Sequence, residues 1–454
     1  MVIRILSPTG VIGAGFKVAS FERGIALKPH FIACDAGSTD SGPAALGSGK
    51  PKLSREAVKR DLHYLLLGSR QLEIPLIIGS CGTSGRDVGV DWMVEITTEI
   101  AREENLHFKL ATIKAEQAPE YLKKRYREGR IKPLFPAPAI DEGMFERSHI
   151  VGMMGIEPIV AALEKGAQVV LAGRASDTSL FAAIPCMMGA HHGLTWHAAK
   201  IIECGAACAV NPGADSLFVH LYDDHYDVET LDLENQLTPQ SVAAHTLYEN
   251  SDPFFIPEPS GVLCTENCVY TALSERAVRV SGAEYRPAKT YTIKLEGAEL
   301  AGYQTIIIGG IRDAVIIRRL PELLPFAQKY FNAKILDIFQ GKLDPATVDI
   351  RYRIYGMDGV LGEFEPLAGQ FGHEVGVLIT ITAPTQELAT KISTFVAHAS
   401  SHLPIPEYHG LISSIAYPFS PPEIERGPVY RFSINHVVEP DDPHEMFRTA
   451  FQEV

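Results

Sequence analysis

Three times in its first 180 residues the chain drives an apolar run into a loop of Gly, Ser and Thr that also carries ionisable groups. The loops are Cys34-Asp35-Ala36-Gly37-Ser38-Thr39-Asp40, Gly79-Ser80-Cys81-Gly82-Thr83-Ser84-Gly85-Arg86-Asp87 and Gly173-Arg174-Ala175-Ser176-Asp177-Thr178-Ser179. They follow the strand-like stretches Phe31–Ala33, Ile74–Ile78 and Val169–Ala172, and two of them run on into a helical pattern. In an open parallel sheet such loops gather beyond the carboxyl ends of the strands, where ligands bind. Small residues there let backbone N–H groups approach an anion, and a helix N-terminus adds its partial positive charge. The arrangement predicts a site for a small anionic substrate.

At 454 residues two domains are expected. The formal charge of −14 argues against nucleic acid and anionic membrane as partners, since both need a basic face. The start, Met1 to Gly10, reads as a first strand broken by Pro8, not as a secretion signal. No run approaches the roughly 20 apolar residues of a membrane span, so a soluble, cytoplasmic protein is expected. Seven Cys in a long chain suggest reduced thiols; the pairs Cys204/Cys208 and Cys264/Cys268 are the only hint of zinc spacing.

Strand and helix patterns alternate through residues 1–250, which predicts a doubly wound, mostly parallel sheet. Ser54 is placed to cap a helix with Val58, Leu62, Leu65 and Leu66 inward, Gly68 closing it. Met93, Ile96 and Ile100 mark a second helix, and Ile156–Lys165 a third closed by Gly166. The segment Leu122–Phe145, basic and then Pro-rich, reads as an excursion or lid. Residues 251–454 change texture, with alternating strand-like runs such as Lys289–Leu295, Val348–Tyr355 and Val375–Thr382. They are expected to form a smaller α+β domain, the boundary marked by proline near Pro253–Pro259.

Within the loops the chemistry divides into functional and structural readings. Ser80, Thr83, Ser84 and Thr178 offer hydroxyls to a substrate, and Arg86 a bidentate fork; the Ser, Thr and Gly of the Gly79–Asp87 loop equally cap the helix that follows, with Asp87 serving its N-terminus. Cys81 has no sequence-visible base and reads as a packed thiol. Asp35, Asp40, Asp87 and Asp177 lie at strand ends, where carboxylates serve general acid–base catalysis or a divalent-cation site, or else form turns and caps. Asp35, Asp177 and Asp40 are the acid–base candidates, Asp35 first because it directly ends a strand; two nearby Arg are expected to keep it ionised. Asp35 and Asp87 are the candidates for a divalent cation, and no redox cofactor is called for. Arg174 grips either a substrate carboxylate or an internal partner, Asp177 or Asp35. His192 is a candidate contributor to the pocket. The turn Gly10-x-x-Gly13-x-Gly15 has its close glycine pair in the wrong place for a dinucleotide fingerprint.

The run from Gly155-Ile156-Glu157-Pro158 through Gly173-Arg174-Ala175-Ser176-Asp177-Thr178-Ser179-Leu180 resembles the acyclic terpene utilisation (AtuA-like) family. Gln236-Leu237-Thr238-Pro239, Leu247-Tyr248-Glu249, Asp252-Pro253 and Val278-Arg279-Val280-Ser281-Gly282-Ala283 are similar to it too. The family's Gly-Arg-x-x-Asp motif falls on Gly173, Arg174 and Asp177. The resemblance implies a catabolic role, with a small separate companion protein for members that lack a C-terminal extension.

Together these features lead to the expectation of a hydratase, dehydratase or related lyase acting on a small carboxylate or acyl compound. Asp acid–base groups and an Arg clamp would carry it, in a homo-oligomer. The alternatives are a hydrolase of the same substrates and a non-catalytic subunit of a companion protein.

Overall fold

The computed structural model describes residues 2–250, 252–405, 408 and 413–454. The chain divides into two compact units, Met1–Glu299 with Phe432–Val454, and Leu300–Arg431.

The first unit is built on a ten-stranded sheet. Its centre is five parallel strands in the order Ile3–Ser7, Phe31–Gly37, Leu76–Thr83, Val169–Ala172 and Lys109–Lys114. Antiparallel strands extend it on both sides. Leu217–Leu221, His225–Thr230, Ala277–Ser281 and Val269–Ala272 continue from the first strand, and Arg448–Glu453 pairs with Lys109–Lys114. The α/β expectation holds, but the sheet is mixed. Only three residues separate Leu217–Leu221 from His225–Thr230, and a link that short can join antiparallel strands alone.

The central strands are apolar throughout because both faces are covered. Ile32, Cys34 and Ile78 pack with Leu62, Leu66, Met93 and Ile96 of the helices Arg55–Gln71 and Asp87–Glu103. Phe31, Ala33 and Ile77 face the other way, into a cluster with Leu180, Phe181, Ala198 and Ile201 of Asp177–Met187 and His192–Ile202. Ser54 does cap the first of these helices, accepting from the Ala57 amide at 3.2 Å. Gly68 does not end it. The helix runs on to Gln71, and Gly68 lies inside it, where a side chain would strike Phe21 and Ile25.

Residues 251–299, expected in the second domain, and the last 23 residues belong to this first unit. Ala277–Ser281 and Arg448–Glu453 find pairing partners on the large sheet, which no local pattern announces, while Phe255–Glu258, Gly261–Cys264 and Glu284–Pro287 form a three-stranded sheet of their own. The segment Leu122–Phe145 is tied down too. Buried Arg125 in helix Pro119–Arg127 bonds Glu128 and Glu445, and Ile131–Pro133 pairs with His436–Val438.

In the second unit Asp349–Tyr355, Val375–Ala383 and residues 303–311 form antiparallel pairs. Helices Ala314–Ile338 and Gln386–Ser401 share a core with them through Leu320, Phe331, Ile379, Ile392 and Val396. Among the described residues no helix is long and apolar enough to cross a membrane.

Candidate functional site

The three loops meet at the carboxyl ends of three adjacent strands. The Ser80 amide bonds the Gly173 carbonyl at 2.9 Å, and the Arg174 amide bonds that of Gly85 at 3.1 Å. Gly85 has φ +67°, and a Cβ there would lie 2.2 Å from the Arg174 nitrogen; only glycine permits the approach. Ser80 and Thr83 are themselves left-handed, at φ +48° and +77°, a conformation non-glycine residues adopt rarely and often at functional loops.

Arg174 is the hub. It is 6% exposed and sends Nε to Glu296 Oε2 at 2.9 Å, Nη2 to Glu296 Oε1 at 3.4 Å and Nη1 to Ser80 Oγ at 3.2 Å. Asp177 Oδ1 stands 3.6 Å from Nη1, an ion-pair distance rather than a hydrogen bond. Its main partner is therefore internal, and is neither Asp177 nor Asp35. Glu296 also accepts from Lys294 at 2.8 Å and from Thr39 at 3.3 Å. Against the penalty of burial, Arg174 and Lys294 hold its carboxyl down to about 2.

Asp35 ends its strand as expected and is 4% exposed. Oδ2 accepts from the Gly37 amide at 3.0 Å, while Oδ1 is buried without a hydrogen-bond partner. Burial, reinforced by Asp177, pushes its carboxyl well above the usual range, and Arg174 only partly offsets this. The expectation that neighbouring Arg would keep Asp35 ionised is corrected here: burial and Asp177 outweigh the pull of Arg174, and Arg86 is turned away to Glu116. Asp177 opens its helix. Burial also raises its carboxyl against the pull of Arg174 and Lys200, and its Oδ1 likewise lacks a hydrogen-bond partner. Asp35 is buried, and Asp177 is about one-third exposed with its Oδ1 out of solvent. Both are pushed up, each has an oxygen with no hydrogen-bond partner, and such a pair can exchange protons with a bound molecule at neutral pH.

Around this pair lie residues the sequence did not mark. Glu258, at the end of strand Phe255–Glu258, accepts from Ser176 and Thr178 at 2.7 Å each, so the hydroxyls flanking Asp177 are bound to it. Burial raises its carboxyl to about 7. Lys200 and Glu203, each 5% exposed, pair at 2.6 Å, and burial pushes Glu203 up to about 8. Glu203 and Lys200 stand one turn apart at the end of a helix, a spacing that reads as an ordinary surface pair until its burial is known.

The remaining candidates are dispersed. Arg86 turns away to Glu116, with Nε at 3.3 Å and Nη2 at 3.1 Å, and to the Leu46 and Gly47 carbonyls. Asp87 accepts from the Glu116 amide and pairs with Arg448, so it does not join Asp35. Among the described residues no group of three or more His, Cys, Asp and Glu is arranged to hold a metal ion. Thr83 accepts from the Lys52 amide, and Ser84 donates to the Ala45 carbonyl. Asp40 is exposed and bound to Ser38 but stays near enough to Asp177 and Glu249 to raise both, and His192 is exposed against the ring of Tyr285. The turn Gly10–Gly15 wraps Asp61, whose carboxylate takes the Gly13 and Gly15 amides at 2.7 and 2.9 Å; its anion comes from the protein itself. Cys81 is fully buried, and desolvation raises its thiol, which disfavours the thiolate a nucleophile requires.

Fold and site thus define an α/β protein with a buried carboxyl cluster where parallel strands end. The sequence matches the family described as acyclic terpene utilisation family protein AtuA over residues 85–211 and 231–411, and the chain belongs to that family. The matched region includes Arg174, Asp177, Lys200, Glu203, Glu258 and Glu296 but stops short of Asp35. No curated protein and no solved structure matches the chain.

Proposed function

We propose that this chain is a lyase of the hydratase or dehydratase type, acting on a small acyl compound through Asp35 and Asp177. The observation that carries the reading is the pair of open, buried carboxyl oxygens on converging loops. In the dehydrating direction ionised Asp177 takes the proton from the carbon next to the carbonyl. The C–H electron pair becomes the carbon–carbon double bond, and the C–O bond to the hydroxyl breaks. Asp35 delivers its proton to that oxygen, which leaves as water. That proton then passes from Asp177 to the now ionised Asp35, which returns the pair to its starting state, and hydration runs the sequence backwards. Arg174, locked by Glu296, keeps Asp177 the more acidic of the two. The family's description supports a catabolic setting for such a step.

The experiment is exchange of the α-proton of 3-hydroxyacyl esters in deuterated water, followed by NMR. Exchange is expected with the wild type and should be lost in both Asp35→Asn and Asp177→Asn while each still unfolds cooperatively. Exchange that persists in both variants refutes the reading.

A further inference from the structure

Both buried guanidinium groups of the loop cluster already have an anion, Arg174 at Glu296 and Arg86 at Glu116. Arg174 spans both oxygens of Glu296, the part-exposed Lys294 reaches the same carboxylate, and Lys200 donates to Glu203. Arg86 is taken by Glu116 and two carbonyls. Two of the carboxyls are in the opposite condition. Asp35 Oδ1 and Asp177 Oδ1 are buried with no hydrogen-bond partner, in a structure class where buried polar atoms nearly always have one. Asp40 is exposed, and it raises Glu249, a carboxyl already pushed up by burial.

Resting on the acid–base reading above, the geometry points to a site that selects an uncharged acyl compound, its carboxyl masked as an ester, thioester or amide, and turns the free carboxylate away. A free carboxylate would have to displace Glu296 from Arg174 or lie against Asp177, whose one near guanidinium is already held by Glu296, and like charges brought together without a free counter-ion are strongly disfavoured. An uncharged hydroxyacyl compound meets the open atoms directly. Its hydroxyl donates to Asp177 Oδ1 or accepts from the Asp35 carboxyl, and its carbonyl asks for no cation. The anionic substrate suggested by Gly-rich loops and two Arg gives way, because both guanidinium groups are committed inside the protein.

Thermal-shift titration of the full chain with methyl 3-hydroxybutanoate and with sodium 3-hydroxybutanoate separates the cases. The ester is expected to raise the unfolding midpoint, and the anion to need at least about tenfold more for the same shift. The ester's shift should shrink in both Asp35→Asn and Asp177→Asn, measured against each variant's own midpoint. An anion that matches or exceeds the ester overturns the inference, as does the absence of a shift from both probes, or an ester shift unchanged in both variants. Failure of the acid–base reading looks different: the ester binds selectively and its α-proton never exchanges.

Discussion

Two loops in this protein share one local plan, an apolar strand followed by Gly, Ser or Thr and then an Arg and an Asp, yet they end in opposite electrostatic conditions. In the loop Gly79–Asp87 every charge is answered. Arg86 holds Glu116 through two nitrogens, and Asp87 accepts from the Glu116 amide while pairing with Arg448. In Gly173–Ser179 the Arg is answered by Glu296, but Asp177 keeps an open oxygen, as does Asp35 beside it. A closed charge network stabilises a loop, whereas open buried acceptors leave work for a ligand. The lesson is that Arg and Asp in a loop do not by themselves mark a site; the unanswered atoms do.

The contrast is sharpest for the carboxylates that hold the two Arg. Glu296→Gln leaves Arg174 buried with its countercharge removed, and a loss on the order of 3–5 kcal/mol in denaturant unfolding is expected. Added formate should recover part of it. Glu116→Gln strips the same kind of pair from Arg86, but Glu116 is about one-fifth exposed and Arg86 keeps two carbonyls. Its expected cost is smaller, about 1–3 kcal/mol, with ester binding unchanged. Equal losses, or loss of ester binding in Glu116→Gln alone, would erase the distinction between the loops.

These long-range partners are also what the sequence hid. Asp35, Arg174 and Asp177 were legible because each sits directly beyond an apolar run, so strand ends alone bring them together. Glu296 lies 122 residues from Arg174, in a stretch assigned to the second domain. Its one signal was Lys294 and Glu296 two apart in a strand-like run, hence on one face, a charged pair where apolar residues would be expected. Strand pairing of residues 277–281 and 448–453 is likewise non-local, which is why the domain boundary and the mixed sheet are not visible in the sequence. Arg86 misled for the same reason: its partner, Glu116, is set by the fold and not by the loop.

A smaller effect separates the open cluster from the closed one by pH. Glu203 rises from its ordinary 4.5 to about 8 in the folded protein, so the folded state holds a proton that the unfolded state releases. Its contribution to stability is full below about pH 4.5 and is lost as pH rises through about 8. Glu203→Gln should flatten the decline in unfolding midpoint across that interval; a curve parallel to wild type would contradict the burial effect. The least effect is expected at Cys81. Buried and held as a thiol, it should resist alkylation in the native protein, and Cys81→Ser should keep α-proton exchange. Rapid native labelling with loss of exchange would move the chemistry to sulfur.

The difference between the loops rests finally on Asp35, whose burial beside Asp177 outweighs the pull of Arg174. Infrared difference spectroscopy of wild type against Asp35→Asn reads its protonation directly. A protonated carboxyl band present at neutral pH in the wild type and absent from the variant is the expected result. An ionised carboxylate band in its place would contradict the assignment of Asp35 as the proton donor.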